Sequence, residues 1–414
     1  PPEAPLPAEV DVLVIGAGLT GLAAARTLAR GGRSVLALDA GAPGSGASSR
    51  NGGMIGGGHR MALPEMTARF GRETATALVR EAQIDSLAFA KRLMAEEGIA
   101  CDFAETGRFR AFWRAGDYDR EARALEALQA EVPVEAEMVP RARQREEVAS
   151  DLYRGGMVFH RHGGLNPAKW VAGIRDAAIR AGSLVQGNTP VTALAREGAA
   201  HLAETPRGQV RAGEVLVATN GYTPPALAAH RRRIVPVPSF IVATEPLGAN
   251  RVRSLFPSGR MVVESRERHC YYRPSPDGER IVFGGRAAMF DAPERLARGE
   301  LARLLAEVFP ELRGVALTHS WRGRTGFTFD AIPTVGRLGG LWHAIGYSGN
   351  GNAMAPWLGH KAALRILGEP EGETAFARTE LPARWWYRGH AWFLPGADAL
   401  FRLRDLRARL GRGD

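Results

Sequence analysis

Residues 12–15 read VLVI, a short β-branched apolar run of the kind that fills a buried parallel strand. Residues 22–30 are rich in Ala and Leu and predict a helix, which Gly31 and Gly32 stop. A second strand is expected at 34–38, followed by a long Gly/Ser loop over 41–58. Apolar spacing at Leu78, Ile84, Leu87 and Leu93 predicts one helix over 66–97. Beyond it the pattern gives a strand at 109–113, a helix at 117–131, a helix at 168–181 leading to Leu184-Val185, and a buried strand at 215–218.

From 234 to 285 the pattern changes. Short β-branched and aromatic runs at 239–244, 261–263, 269–273 and 281–284 are separated by turns, the clearest being Pro276-Asp277-Gly278. That predicts an antiparallel sheet, normally part of a substrate-binding unit. A helix at 301–308, a strand at 341–345 and a helix at 353–367 follow, and no fixed-period repeat is present. Strands alternating with helices at both ends, with antiparallel strands between, predict an α/β chain of two domains. The expected nucleotide-binding domain uses 9–70, 151–228 and 315–370, and the substrate domain 71–150 and 229–314. The tail, 371–414, is expected to pack on the surface.

The first candidate chemistry lies between the first strand and helix. Gly16-Ala17-Gly18-Leu19-Thr20-Gly21 is a G-x-G-x-x-G stretch, and Asp39-Ala40 ends the second strand eighteen residues past Gly21. In that context Gly16 allows the tight turn, Gly18 lets backbone approach a pyrophosphate, and Gly21 lets the helix pack on the strand. The amides of Leu19 and Thr20 open the helix, where partial positive charge favours phosphate. The Asp39 carboxylate suits ribose hydroxyls and disfavours a 2′-phosphate.

Composition narrows the class. The chain has 414 residues, 45% hydrophobic and 24% charged, which suits a two-domain enzyme. The net charge is +10, yet lysine occurs only at Lys91, Lys169 and Lys361 and the arginines are scattered, so a nucleic-acid partner is not expected. Two isolated cysteines, Cys101 and Cys270, argue against a disulfide scaffold or a zinc site and for a reducing compartment, and no metal is expected. Residues 1–7 are Pro-rich without the charge-then-apolar order of a signal peptide, and no apolar stretch is long enough to span a membrane; a cytoplasmic location is expected.

After Asp39 comes Gly44-Ser45-Gly46-Ala47-Ser48-Ser49-Arg50-Asn51-Gly52-Gly53. This stretch resembles the D-amino-acid oxidase superfamily, in the branch of sarcosine, glycine and γ-glutamylputrescine oxidases. The likeness extends through nearly the whole chain. It includes Gly163 to Pro167, the segment 215–222 (VLVATNGY, with Thr219, Asn220 and Gly221), Tyr271-Tyr272-Arg273-Pro274 through Arg286, and Gly346-Tyr347-Ser348-Gly349-Asn350-Gly351 before a helix. The resemblance implies a Rossmann-type, three-layer ββα FAD-binding domain with a mixed, largely antiparallel α+β substrate domain. Ser48, Ser49, Arg50, Asn51, Gly52 and Met54 would run along the FAD pyrophosphate towards the ring. The loop from Gly346 to Gly351 would present amides and a helix N-terminus to the flavin.

The implied chemistry is transfer of a hydride from the carbon beside an amine nitrogen to flavin N5, giving an imine that hydrolyses, with O2 or another acceptor as oxidant. Three departures refine it. Residues 321–336 (WRGRTGFTFDAIPTVG) align with a glycine oxidase segment that carries a carboxylate-binding Arg where this chain has Thr325, so an amine without a neighbouring carboxylate is expected. No Cys lies near Gly323 or Arg324, so FAD is expected to be noncovalent. No Lys lies in the strands that match those placing one beside the ring, which leaves fast reaction with O2 in question. Candidates on the substrate side are His269, Tyr271 and Trp321, with Met54, His59 and Tyr272 also near the ring; His269 and Tyr271 share one strand face and Tyr272 takes the other. Alternatives are N-methyl amino-acid or glycine-type oxidation, a flavoprotein acting on tRNA, and a flavin-holding subunit. The aromatic, basic stretch 385–410 is expected to close over the protein's own surface rather than lie on a membrane.

Overall fold

The computed structural model describes residues 5–114 and 116–410, and the side chains through residue 408. Residues 1–4 of the Pro-rich start and the side chain of Leu410 therefore lie outside the described residues.

Two eight-stranded sheets organise the chain. In the first, Glu9–Ile15 pairs in parallel with Val35–Leu38 on one side and with Gly208–Val217 on the other. Leu184–Gln186 extends the parallel order beyond Val35–Leu38, and Leu341–Ile345 beyond Gly208–Val217. The antiparallel strand Thr334–Leu338 closes that edge. Alternation along the first strand explains the layering. Val12 and Val14 join a core with Leu22, Ala24 and Leu28 of helix Leu19–Arg30 and with Leu358 of helix Gly351–Leu367. Leu13 and Ile15 point the other way, into a core with Ala203 and Val210 of the meander Ala193–Glu197, Ala200–Thr205 and Gly208–Val217. Helices, parallel sheet and antiparallel strands form three layers, the ββα arrangement expected.

The second sheet is mostly antiparallel. Leu317–Phe327, Val235–Thr244, Ile281–Gly285, Cys270–Pro274 and Met261–Glu264 follow one another across it, and Arg108–Ala111, Gly156–Phe159 and Ala136–Val139 complete it. Leu317–Phe327 and Gly156–Phe159 stand in this sheet although both fall within the segments expected to bind the nucleotide, 315–370 and 151–228. Their ladder partners decide it: Leu317–Phe327 registers along Val235–Thr244, and Gly156–Phe159 along Arg108–Ala111.

The helix expected over 66–97 is three pieces. Leu63–Phe70 and Arg72–Arg80 meet at Gly71, whose φ of 79° no helix interior accommodates. A π turn, Glu81–Asp85, then joins Ser86–Glu97. At that turn the Glu81 carboxylate accepts hydrogen bonds from Trp357 Nε1, Thr374 Oγ1 and the Ala375 amide at 2.9, 2.6 and 2.6 Å, which ties the π turn to the C-terminal side of the chain.

The tail packs on the second sheet. Tyr387 is buried and donates to the Ile234 carbonyl at 2.9 Å. Helix Leu394–Leu410 is held by Asp405, which accepts from the amides of Glu267 and Arg268 at 3.0 and 3.1 Å. No helix of the described residues is long and apolar enough to cross a membrane.

Candidate active site

A cavity of about 1620 Å3 runs from the C-terminal ends of the parallel strands to the face of the second sheet. One end is built by the turn between Glu9–Ile15 and Leu19–Arg30. Gly16 has a φ of 104°, and a Cβ there would sit 2.8 Å from the Ala218 carbonyl oxygen. At Gly18 it would sit 2.8 Å from Ser48 Oγ, and at Gly21 only 2.0 Å from the Gly16 carbonyl oxygen. Gly21 is therefore a packing residue behind the wall, whereas Gly16, Gly18, Leu19 and Thr20 line the cavity. The Asp39 carboxylate accepts from the amides of Ala17 and Gly41, both at 3.0 Å, and burial raises its pKa against those hydrogen bonds. Held so at the strand end, with Ala40 beside it on the wall, it presents its remaining lone pairs to the cavity.

The Gly/Ser loop forms the next stretch. Ser48 Oγ accepts from the Leu19 amide at 3.0 Å, so the loop sits on the first turn of the helix. Arg50, Asn51, Gly52 and Met54 line the cavity; Ser49 does not. Gly52 is held to its size by Tyr271, whose ring carbon would stand 2.8 Å from a Cβ. Asn51 caps its own turn by donating to the Ala47 and Ser48 carbonyls and pairs with Asn352.

On the opposite side Thr219 and Asn220 line the wall and Gly221 lies behind it. Asn220, at a φ of 44°, accepts from the Gly346 amide at 3.1 Å and so joins two loops. In the second loop Gly349, Asn350 and Gly351 reach the cavity, while Gly346 and the buried Ser348 support it. Asn350 donates to the Gly58 carbonyl at 2.7 Å, which fastens the loop rather than freeing its amide for a ligand. These residues fit FAD: a glycine cradle that side chains would fill, a helix N-terminus for phosphate and a carboxylate for ribose.

At the far end Tyr271, on strand Cys270–Pro274, and His269, which directly precedes that strand rather than opening it as expected, both line the cavity with ring centroids 6.2 Å apart. Tyr271 and Ser239 share a hydrogen bond of 2.9 Å, and burial pushes the phenol up to about 12. His269 adopts a φ of 46°, and its Nδ1 lies 3.1 Å from the Glu264 carbonyl. A carbonyl only accepts, so Nδ1 carries the proton and Nε2 of the neutral ring is an acceptor. Burial, then the charges of Arg60 and Arg286, holds this imidazole well below its ordinary pKa.

The other named candidates separate. His59 is on the wall, with Nε2 3.0 Å from the Leu78 carbonyl. Tyr272 faces away, fully buried beside Tyr153 at 2.6 Å between hydroxyls. Trp321 is not a wall residue; its indole donates to the Arg50 carbonyl at 3.0 Å and braces the Gly/Ser loop against the second sheet. Thr325 is on the wall, two residues before Phe327. Arg324 pairs with Asp291 at 2.8 Å.

Residues that pattern alone did not single out also reach the cavity. Arg60 and Arg286 stand over the Phe327 ring, and Trp386, Phe393 and Phe401 of the tail complete one wall. Arg60 lies two residues past the Gly/Ser loop expected over 41–58, and Arg286 directly follows strand Ile281–Gly285. Among the described residues no group of three or more His, Cys, Asp or Glu side chains is placed to hold a metal ion.

Comparisons with known proteins bear on the family and the fold. A family model described as "FAD dependent oxidoreductase" matches residues 11–365. A probable oxidoreductase, OrdL, of Rhizobium meliloti is 31% identical over 91% of this chain and 87% of its own. The gamma-glutamylputrescine oxidoreductase of Escherichia coli is 30% identical over 89% of this chain and 86% of its own. Among solved structures, glycine oxidase from Geobacillus kaustophilus superimposes with a TM-score of 0.73 over 92% of this chain and 99% of its own; at 21% identity this likeness speaks to the fold.

Proposed function

The chain belongs to the FAD dependent oxidoreductase family, and from that premise we propose that it oxidises a small primary or secondary amine, γ-glutamylputrescine-like in class. The observation that carries this reading is the single cavity joining the glycine cradle and Asp39 to His269 and Tyr271. FAD bound there supplies the acceptor for the hydride lost from the carbon next to nitrogen.

The chain's own residues then bind and orient. The acceptor Nε2 of neutral His269 takes a hydrogen bond from the substrate amine, and Tyr271, held by Ser239, limits the rotation of what lies against it. Neither group changes charge near neutral pH, because one is held far below and the other pushed to about 12. An amine that binds in its neutral form requires no protein base. The product imine hydrolyses to a carbonyl compound and an amine.

Noncovalent FAD is favoured by a wall without cysteine among the described residues; Cys270 is fully buried behind it. The wall likewise carries no lysine, which supports an acceptor other than O2, with O2 as the alternative. Thr325 on the wall counts against glycine-type oxidation. Mixing the FAD-loaded protein without oxygen with γ-glutamylputrescine, putrescine, sarcosine, glycine and D-alanine tests the reading. Loss of the flavin's visible band with the first two is expected. Loss with glycine or sarcosine alone would transfer the protein to the rival class, and precipitation with acid should release the flavin into solution.

A further inference from the structure

We propose that the outer face of helix Leu394–Leu410 docks on an anionic lipid surface. The amine chemistry above is not needed for it. The tail closes over the second sheet with one side only. On that side Ala397 and Phe401 pack with Tyr387 and Leu394, and Ala408 packs against the core of the second sheet. On the other side Leu400, Leu403 and Leu406 recur every third residue, which on a helix makes one stripe, and they are 46%, 43% and 52% exposed. Just ahead of the helix Trp392 is 63% exposed, and Trp385 is 91% exposed. Single exposed apolar residues are ordinary on a protein surface, but five large ones gathered on one element mark a contact face.

The charges around the stripe say what covers it. The acids of residues 385–408 are Asp398 and Asp405, and both turn inward. Asp398 is buried and accepts from Arg402 at 2.8 Å, and Asp405 takes the amides of Glu267 and Arg268. The charges left outward are arginines. At 3.6 residues per turn Arg402 borders the leucine stripe on one edge, Arg404 borders it on the other, and Arg407 lies within it; all three are exposed. Beside the helix, Glu267 is already tied to Arg114 at 3.2 Å and Glu300 to Arg268 at 2.7 Å. A lipid–water boundary accepts this combination. Leucines enter the acyl region, arginine stems lie along it with their heads at the phosphates, and indole rings sit at the headgroup level. A second copy of the chain fits less well, because a two-fold contact through the stripe sets arginine against arginine. The helix would lie in the plane of the surface, since no helix of the described residues is long and apolar enough to cross a membrane. Phe401 on its inner side, with Phe393 and Trp386 ahead of it, lines the cavity. Docking therefore brings lipid to within one helix diameter of the lumen, about 10 Å.

The test sediments the FAD-loaded protein with vesicles of phosphatidylcholine alone and of phosphatidylcholine with about one third phosphatidylglycerol. Binding on the order of 10-fold to 100-fold tighter to the anionic vesicles is expected, and added salt should weaken it. Leu403→Gln combined with Leu406→Gln, and separately Arg407→Gln, should each weaken it by roughly 5-fold or more. Melting temperature and FAD content should stay those of the parent, because these three side chains face outward. Parent protein that stays in solution with anionic vesicles would overturn the proposal. So would equal binding to the two kinds of vesicle, or binding that the variants leave unchanged. Light scattering checks the rival occupant: a dimer that the leucine variant dissociates, with no vesicle binding by the parent, would assign the face to a second copy and overturn the lipid assignment.

Discussion

Gly16, Gly18 and Gly21 do their work by having no side chain. Alanine at Gly21 would place its Cβ 2.0 Å from a backbone oxygen, which cannot swing aside as a side chain can. Gly21→Ala should cost about 1–3 kcal/mol of stability and weaken FAD retention, both visible in melting curves with and without added FAD. Gly18→Ala meets only Ser48 Oγ at 2.8 Å and should fold more nearly as the parent does, losing FAD affinity instead. His269 gives a different kind of prediction. Its depressed pKa means that catalysis at low substrate should climb with pH along the ionisation of the substrate amine, without a limb near the ordinary imidazole value of 6.5. His269→Ala should slow flavin reduction about 10-fold to 100-fold by removing the acceptor for the amine. A limb near 6.5 that disappears in His269→Ala would contradict the neutral-imidazole assignment.

Among the elements, the legible ones were those whose pattern is local. The first strand, the glycine turn, its helix and Asp39 follow from period and spacing, because the cofactor cradle is built within one short stretch of chain. Helix Pro167–Arg180 was legible too, with Asn166 capping the Ala168 and Lys169 amides. The break at Gly71 was not, since apolar spacing continues through it and only the left-handed backbone ends the helix. Nor was the π turn at Glu81–Asp85, which depends on hydrogen bonds to Trp357, Thr374 and Ala375, some 300 residues away in the chain. The sheet membership of Gly156–Phe159 and Leu317–Phe327 depends likewise on distant partners. The far end of the cavity was half legible: Tyr271 lies on the strand expected there, but His269 precedes that strand at a φ of 46°, outside the alternation that grouped the two, and Arg60 and Arg286 meet only over Phe327. The tail offers an element-scale test. Tyr387 is buried against Phe329 and Phe393 and donates to Ile234, so Tyr387→Ala should destabilise by about 3–5 kcal/mol, read by chemical denaturation. A negligible change would mean the tail is not part of the folded core.

Across the whole molecule, several buried imidazoles set the acid limit. Burial holds His230 and His360 at about 4 and His343 at about 3, against an ordinary value of 6.5. These rings fold neutral, so their contribution is intact above 6.5. As pH falls from 6.5 towards 4 the unfolded chain takes up protons that the folded rings refuse, and stability declines. Melting temperatures measured from pH 7.5 to 4.5 should drop below about 6.5 and stay level above it; a flat profile down to 4.5 would mean these rings are solvated. The two sheets meet at one cavity, with the glycine cradle at the first and Tyr271 on the second, and the central claim is that an amine is oxidised between them. The most direct measurement is a single turnover without oxygen: protein loaded with one equivalent of FAD, mixed with γ-glutamylputrescine or putrescine, with flavin absorbance and carbonyl product followed together. One carbonyl formed per flavin reduced is the predicted result. Flavin that remains oxidised with every amine offered, in protein that retains its FAD, would contradict it.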